Sequence, residues 1–209
     1  VLPGLRATCA CLDRLALDPP VVMPHNRDTS QERPAASGGD AARPRRVAIV
    51  AGASRGIGAA VCEALADDFD VVGLSRSGNG PARRALEVDC RSEEAVRRAV
   101  ADVISDAGRI DALVHCVGAI DAPAETHKID LNRWRSTMAI CLESAVTTAS
   151  ACFDSIAANA GSMVFVSSVG AFHPYPGIAD YCAAKAALEA LMRAYAAELA
   201  PHGARANAI

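Results

Sequence analysis

Lysine and aromatic residues are scarce in this 209-residue sequence: aromatic side chains make up 4% of it, and only Lys128 and Lys185 of its 21 basic residues are lysines. A lysine at a motif position therefore carries more information than an arginine would. No apolar run approaches the ~20 residues that a membrane-spanning helix needs. The net charge of -3 gives no electrostatic reason to expect nucleic acid or a membrane surface as a partner.

The eight cysteines include no Cys-x-x-Cys pair and no matching histidine cluster, which argues against a zinc site. Apart from Cys9 and Cys11, they are spread singly through apolar segments. This distribution favours buried free thiols in a reducing compartment over a disulfide framework, and it therefore favours a cytoplasmic protein.

Apolar residues make up 51% of the chain and alanine is abundant, which suits a helix-rich α/β protein. From Arg46 onward, short apolar runs alternate with longer helical patterns. Strands are predicted over 47–50, 71–74, 85–88, 112–116, 162–166 and 205–209, and helices over 59–66, 92–104, 131–153 and 180–199. Repeated βα units predict one α/β domain with a doubly wound parallel sheet of the Rossmann type and right-handed crossovers.

Residues 1–45 have no sustained periodicity, and their later part is rich in proline, serine, glycine and charge. These features predict a disordered or loosely attached tail in front of a folded domain over 46–209. Arg6 and Arg14 among apolar residues hint at a targeting peptide. The acidic residues of the same stretch, and its lack of a signal-peptide apolar core, argue against one.

A glycine-rich turn with the spacing Gly52-x-x-x-Gly56-x-Gly58 joins the first predicted strand to the first helix. Backbone N–H groups and the positive end of the helix dipole converge at such a turn, and glycine lets a pyrophosphate approach the backbone. The turn predicts dinucleotide binding, although its spacing differs from Gly-x-Gly-x-x-Gly and a purely structural turn is an alternative. The residues assigned to cofactor binding here are Gly52, Ser54, Arg55, Gly56, Ile57 and Gly58.

The end of the second predicted strand carries Ser75 and Arg76, where a dinucleotide site recognises the adenosine ribose. An acidic residue there would accept from the 2′-hydroxyl of NAD. Two guanidiniums, those of Arg55 and Arg76, and no carboxylate favour a 2′-phosphate, which predicts NADP over NAD; two solvated surface arginines are the alternative. Asp89, just past the third strand, is predicted to accept from the adenine amino group or to serve only as a turn residue.

A second pattern combines Ser168, at the end of the fifth predicted strand, with Tyr181 and Lys185 on the next helix. Residues i and i+4 lie on one helix face, so Tyr181 and Lys185 point together. The ordinary pKa of tyrosine, about 10, is too high for efficient proton transfer at neutral pH, and a nearby ammonium favours the phenolate. Ser168 lies where open α/β sheets bind ligands. We predict that it orients a substrate carbonyl while Tyr181 donates the proton.

Together these motifs resemble the short-chain dehydrogenase/reductase family over about residues 46–209. The resemblance rests on the glycine turn, on Ser168 thirteen residues before Tyr181, on Tyr181-x-x-x-Lys185 and on Arg205-Ala206-Asn207-Ala208-Ile209. It implies that Tyr181 is the general acid/base, that Ser168 holds the carbonyl oxygen, and that Lys185 binds the nicotinamide ribose and lowers the pKa of Tyr181. Gly118, retained from a family motif, is assigned to cofactor binding, and so are Tyr181 and Lys185.

The resemblance also implies an NADP-dependent oxidoreductase that acts on a small-molecule carbonyl or alcohol. Members of this family are commonly dimers or tetramers built on two long helices, which correspond here to 131–153 and 180–199. The implied assembly is therefore a homodimer or homotetramer.

Several positions depart from the family pattern. Ala51 stands where threonine is usual, and His115-Cys116-Val117-Gly118 stands in place of Asn-Asn-Ala-Gly. Cys141 replaces an asparagine that helps relay protons to the lysine, and a thiol is a weak donor and acceptor. His115 is interpreted as a packed or cofactor-side residue rather than a catalyst.

The chain stops at Ile209, where the family continues into a substrate-covering segment, so we expect a domain that is incomplete at its C-terminus. Two alternatives stay open beside the NADP-dependent enzyme. One is a nucleotide-binding relative with weak or no catalysis, and the other is an NAD-preferring dehydrogenase.

Overall fold

The structure, a computed structural model, describes residues 45–209. The predicted N-terminal tail therefore lies outside the described residues, apart from Arg45. The strands are β1 Arg46–Ala51, β2 Phe69–Ser75, β3 Arg84–Glu87, β4 Ala112–His115, β5 Ser162–Phe165 and β6 Arg205–Ala208. The α-helices are α1 Gly56–Leu65, α2 Glu93–Ala107, α3 Leu131–Met138, α4 Ser144–Ala158 and α5 Ala179–Leu199. No helix in this part of the chain is long and apolar enough to cross a membrane.

The strands form one parallel sheet in the order β3-β2-β1-β4-β5-β6. This order confirms the predicted doubly wound α/β fold, because it is the order of a Rossmann-type sheet. The order in which successive strands are added to the sheet reverses between β1 and β4, where Ala51 pairs with His115. In such sheets ligands bind in the crevice outside the carboxyl ends of the strands at this switch point. The fold thus places a crevice directly after β1 and β4.

β1 is central in the sheet and is buried on both faces, as its continuous apolar run predicts. Alternate residues of a strand point to opposite faces. Val47 and Ile49 belong to the larger hydrophobic cluster, which includes buried residues of α2, α4 and α5. Val50 belongs to a smaller cluster that contains Cys62 of α1. The six cysteines of the described chain are unpaired thiols, and five of them are buried, as predicted.

All four predicted helices differ from the observed bounds by at least one residue, and two of these differences bear on the site. α1 begins at Gly56 rather than at residue 59, so the glycine turn itself contains the first helical residues. The helix predicted over 131–153 extends to Ala158 and is interrupted by a π-helical turn, Ala139–Glu143, between α3 and α4. A π-turn inserts one residue without changing composition, so hydrophobic periodicity does not reveal it. Ser92 caps the N-terminus of α2, since its side chain accepts from Ala95 N.

Candidate active site

The glycine turn is packed tightly on its inner side and open on its outer side. A Cβ added at Gly58 would lie 2.2 Å from Gly52 O, so the backbone of the turn rests directly on the start of α1. Gly56 has a φ of +57°, which favours glycine, and an added Cβ there would meet no atom within 4 Å. The first N–H groups of a helix have no partner within it, and Gly56, Ile57 and Gly58 at the start of α1 all line an open cleft, as an anion site requires.

A cleft of about 400 Å³ opens over this turn at the carboxyl ends of the strands. It brings together ten of the predicted cofactor residues, namely Gly52, Ser54, Arg55, Gly56, Ile57, Gly58, Ser75, Arg76, Asp89 and Gly118. Residues outside that prediction also line it: Leu74, Val88, Cys90, Arg91, Cys116, Val117, Ala119 and Ile140. The two other predicted cofactor residues, Tyr181 and Lys185, do not line this cleft, and neither does Ser168.

Three arginines line the cleft, and two of them have no side-chain partner within residues 45–209. The guanidiniums of Arg55 and Arg76 form no hydrogen bond or ion pair with any described residue. Ser75, beside Arg76, donates its hydroxyl to Asn79 O at 3.3 Å, within the turn that follows β2. The cleft therefore presents two guanidiniums that have no hydrogen-bond partner among the described residues, and the Asp89 carboxylate lies close enough to Arg76 to interact with its charge.

The third arginine, Arg91, holds the carboxylate of Asp89. Its Nε lies 3.0 and 3.1 Å from the two carboxylate oxygens, and its Nη2 lies 2.6 Å from one of them. These hydrogen bonds from Arg91 lower the pKa of Asp89 to about 2. The motifs did not single out Arg91; its sequence signal is the spacing Asp89-x-Arg91 directly after a strand. Asp89 lines the cleft and also closes a turn. The structure is therefore compatible with both predicted roles, that of an acceptor for the adenine amino group and that of a turn residue.

Lys185 is buried inside the site, with 2% of its surface exposed. Its Nζ donates to Val166 O at 2.7 Å, and a Cβ added at Gly118 would lie 3.4 Å from the same nitrogen. Burial lowers the pKa of Lys185, and the neighbouring thiols of Cys141 and Cys116 oppose part of this shift. Gly118 therefore connects the cleft, which it lines, to the buried ammonium behind it.

Tyr181 lies in the first turn of α5, one helical turn before Lys185. The lysine Nζ is 5.8 Å from the centroid of the Tyr181 ring, so the two side chains share a face as their spacing predicts. Ser168 follows β5, and its Oγ accepts from Gly170 N at 3.1 Å. The structure thus places the serine at a strand end, and the tyrosine beside the buried lysine.

These residues fit a nicotinamide dinucleotide. The turn offers exposed N–H groups and an open face at Gly56, and two guanidiniums are available for phosphate. The Lys185 ammonium has three donors but one acceptor within the described chain. Ser167 Oγ, at the end of β5, is buried with no hydrogen-bond partner among the described residues. Unsatisfied polar groups of this kind mark a place where a ligand completes the hydrogen bonding.

Cys141 occupies the middle of the π-helical turn and is fully buried. Its thiol donates to Ala119 O at 3.4 Å. Burial raises the pKa of this thiol, so it is neutral at physiological pH. The side chain at this position therefore ties the turn to the segment after β4 and carries no charge.

His115, at the end of β4, is a packed residue, which confirms that interpretation. Its Nδ1 lies 3.0 Å from Thr148 Oγ1 and its Nε2 lies 3.2 Å from Ser144 Oγ. Burial lowers its pKa to about 3, with a smaller contribution from the charge of Lys185. A neutral imidazole has one donor, and Ser144 Oγ also donates to Ile140 O at 2.6 Å. Thr148 Oγ1 likewise donates to Ser144 O at 2.9 Å, so protonation on Nε2 preserves the Ser144 hydrogen bond, whereas protonation on Nδ1 preserves that of Thr148.

The buried histidine predicts a pH-dependent stability. The pKa of His115 is about 6.5 in the unfolded chain and about 3 in the folded protein. The unfolded state therefore binds a proton at a higher pH than the folded state does. Stability is therefore complete above neutral pH and falls as the pH decreases through this window. Between about pH 7.5 and about pH 5 we expect His115 to cost about 2 kcal/mol of unfolding free energy. Urea unfolding at both pH values, compared with His115→Asn, measures it; an equal pH dependence in the variant would contradict the assignment.

Comparisons with known proteins agree with this geometry. The family model described as short chain dehydrogenase matches residues 46–209. The (-)-trans-carveol dehydrogenase of Rhodococcus erythropolis is 32% identical over 146 residues, which cover 69% of this chain and 53% of that protein. An acetoacetyl-CoA reductase of Shinella zoogloeoides is 33% identical over 174 residues, which cover 78% of this chain and 72% of that protein.

Among solved structures, carveol dehydrogenase from Mycobacterium avium in complex with NAD matches with a TM-score of 0.74 and 31% identity, covering 78% of this chain and 69% of that one. The chain spans 53% and 63% of the length of two of its curated relatives and 72% of a third. The glycine turn, the sheet order and these matches lead to one conclusion: the chain belongs to the short-chain dehydrogenase/reductase family.

Proposed function

We propose that this protein is an oxidoreductase that uses NADP(H) to interconvert a small-molecule alcohol and its carbonyl compound. One observation carries the proposal. A cleft built on a glycine turn carries two unpartnered arginines, and Gly118 connects it to a buried lysine four residues after Tyr181. The groups for anion binding and those for proton transfer thus lie next to each other at the carboxyl ends of the strands.

The cofactor would be held by the groups already described. N–H groups of the glycine turn receive the pyrophosphate, and Lys185 donates to the nicotinamide ribose. Arg55 and Arg76 bind the 2′-phosphate, since a guanidinium matches phosphate geometry. Asp89, already held by Arg91, borders the adenine.

When bound, the nicotinamide supplies or accepts the hydride at its C4 position. The chain's own residues manage the oxygen and its proton. Ser168 donates to the substrate oxygen and orients it, and Tyr181 gives a proton to that oxygen in reduction and removes it in oxidation. The Lys185 ammonium beside the Tyr181 ring favours the phenolate that remains after reduction.

The loop after β5 supports an apolar substrate. Val169, Phe172 and Tyr175 are 56%, 62% and 50% exposed. Exposed apolar side chains next to a catalytic serine offer contact to an uncharged carbon skeleton. The Rhodococcus relative is named for such a substrate, carveol, which makes a cyclic ketone or alcohol the first compound to test.

Cofactor preference is tested by NADPH and NADH titrations of the 209-residue chain, followed by nucleotide fluorescence. We expect NADPH to bind at least about tenfold more tightly than NADH, since a charge-assisted hydrogen bond contributes about 1.5–3 kcal/mol. Arg76→Ala should remove most of this preference without weakening NADH binding.

Arg97→Ala is the matched control, because Arg97 pairs with Glu93 on the exposed face of α2, away from the cleft. Unchanged NADPH affinity in Arg76→Ala would refute the phosphate assignment. Equal or tighter binding of NADH by the parent chain would instead favour NAD, which the structure of the Mycobacterium relative holds.

A second candidate function is nucleotide binding with weak or no turnover. The thiol of Cys141 favours it, because that thiol is neutral and already donates to Ala119 O. A side chain engaged in this way does not relay protons to Lys185. Tight NADPH binding with no turnover of any carbonyl compound would select this candidate.

A further inference from the structure

Ser168 caps a short 3₁₀ turn, Val169–Ala171, that follows it directly. Its Oγ accepts from Gly170 N at 3.1 Å, and its backbone carbonyl accepts from Ala171 N at 3.0 Å. Within residues 45–209, Gly170 N is the one hydrogen-bond partner of the Ser168 hydroxyl. That N–H therefore occupies an acceptor site of the oxygen and leaves the hydroxyl hydrogen without a protein partner.

The direction of the Ser168 hydroxyl hydrogen follows from where its oxygen accepts. A serine oxygen carries one hydrogen and two lone pairs. The N–H of Gly170 takes one lone pair from the side of the 3₁₀ turn, so the hydrogen points away from that turn. A hydrogen with this direction is available to a substrate oxygen, which is the role that Ser168 has in the proposed function.

Gly170 is buried, and little space is left there for a side chain. A Cβ added at Gly170 would lie 3.2 Å from Cys182 Sγ and 3.4 Å from Ser168 Oγ, and the next atom would be Cδ2 of Tyr175 at 4.0 Å. Two carbon atoms pack best at about 3.5–4.0 Å, and sulfur is larger than carbon. Gly170 thus packs between the Ser168 hydroxyl and the residue that follows Tyr181.

The first turn of α5, which carries Cys182, is held in place by α3. The side chain of Asp180 is 2% exposed, and its carboxylate accepts from Arg133 Nε and from Thr137 Oγ1, each at 2.9 Å. Breaking a buried ion pair of this kind is strongly unfavourable. A methyl group at position 170 therefore displaces the 3₁₀ turn rather than the helix.

We propose that Gly170 is a positioning residue for Ser168: its N–H directs the serine hydroxyl toward the substrate oxygen, and its lack of a side chain lets the 3₁₀ turn pack against Cys182. The proposal rests on the proposed function, in which Ser168 orients that oxygen. Gly170 does not reach the reacting atoms itself. Neither Gly170 nor Ser168 lines the nucleotide cleft, so the role concerns turnover and not cofactor affinity.

The hydrogen bond is tested without turnover, by amide hydrogen exchange of the 209-residue chain followed by NMR. Ser168→Ala removes the acceptor of the Gly170 N–H but keeps the backbone carbonyl that accepts from Ala171 N, so the Ala171 amide is an internal reference. We expect the ratio of the two exchange rates, Gly170 over Ala171, to rise about fivefold or more in Ser168→Ala, as loss of a capping side chain implies. An unchanged ratio would overturn the proposal.

Turnover tests whether Gly170 acts through Ser168. Gly170→Ala should lower kcat at least about tenfold, because a misplaced group loses its alignment with the substrate, while NADPH affinity stays that of the parent chain. In a Ser168→Ala background the same substitution should change kcat by less than about twofold, since the hydroxyl that it misdirects is already absent. Structural damage alone would lower kcat by the same factor in both backgrounds, and this result would contradict the positioning role.

The space at Cys182 gives a rescue experiment. Cys182→Ala removes the sulfur atom that would lie 3.2 Å from the new methyl group. In that background Gly170→Ala should cost less than about threefold in kcat. Cys152→Ala is the matched control, because Cys152 is a buried thiol of α4 that is not among the three nearest neighbours of the added Cβ. Equal recovery with both cysteine variants, or none with Cys182→Ala, would refute the role of this contact.

The two readouts separate this proposal from the proposed function. A parent chain without turnover, together with the faster Gly170 exchange in Ser168→Ala, would refute the proposed function and leave the hydrogen bond from Gly170 to Ser168 established. Equal kcat in Gly170→Ala and the parent chain would overturn the positioning role alone. Circular dichroism verifies the folding of each variant. If Gly170→Ala does not fold, the exchange ratio decides, because it needs no substitution at Gly170.

Discussion

Tyr181→Phe lowers turnover of the carbonyl substrate by at least about a hundredfold, since a positioned acid contributes about 10²–10⁴ to the rate. The substitution removes one hydroxyl and keeps the ring whose centroid lies 5.8 Å from Lys185 Nζ. The cleft that holds the nucleotide is not lined by Tyr181, so NADPH affinity should stay close to that of the parent chain. NADPH oxidation and NADPH titration, measured on the same preparation, separate the two effects.

Tyr195→Phe is the matched control, because it removes a hydroxyl from the same helix. Tyr195 is buried and its hydroxyl lies 2.9 Å from Ser150 Oγ, on the side of α5 that packs against α4. It should retain full turnover. Equal activities of Tyr181→Phe and the parent chain would contradict the proton-transfer role of Tyr181.

Gly58→Ala has the second large expected effect. The new Cβ would lie 2.2 Å from Gly52 O and 2.8 Å from Gly52 C, and both atoms belong to the backbone. The turn must therefore move. Overpacking of this kind costs about 1–3 kcal/mol, and the moved N–H groups no longer match a pyrophosphate. We expect a lower unfolding free energy in urea together with at least about a tenfold loss of NADPH affinity, which corresponds to about 1.4 kcal/mol of binding free energy.

Gly56→Ala is the informative comparison. Its Cβ meets nothing within 4 Å, but φ is +57°, so the backbone strain costs about 1–2 kcal/mol. The added methyl group meets no protein atom but projects toward the open side of the turn, where the pyrophosphate is expected. NADPH affinity should therefore fall without any clash inside the protein. Normal NADPH binding and normal stability in Gly58→Ala would show that the turn does not have the geometry described here.

The sheet was predictable because its signals are local. The apolar run of β1 is buried on both faces, and each strand from β2 to β5 is followed within three residues by a glycine or a polar residue. The prediction of NADP depends on Arg55 and Arg76, whose positions follow from strand ends alone. The strands and the glycine turn therefore needed no knowledge of contacts between distant residues.

The side-chain contacts around the site were not predictable in this way. Arg133 and Asp180 are 47 residues apart in sequence, and their pairing depends on how α3 crosses α5. His115 meets Ser144 and Thr148 only because the π-helical turn precedes them. Such contacts depend on the relative rotation of whole elements, which periodicity within one element does not specify.

The π-helical turn also sets the phase between the two halves of one continuous helix. Ahead of it, Arg133 and Thr137 face Asp180; behind it, Ser144 and Thr148 face His115. Removing one residue from Ala139–Glu143 would restore an α-turn and rotate one half against the other by about 100°. Both sets of contacts could not then be kept. The segment is therefore intolerant of a change in length, even where it would accept a change in side chain.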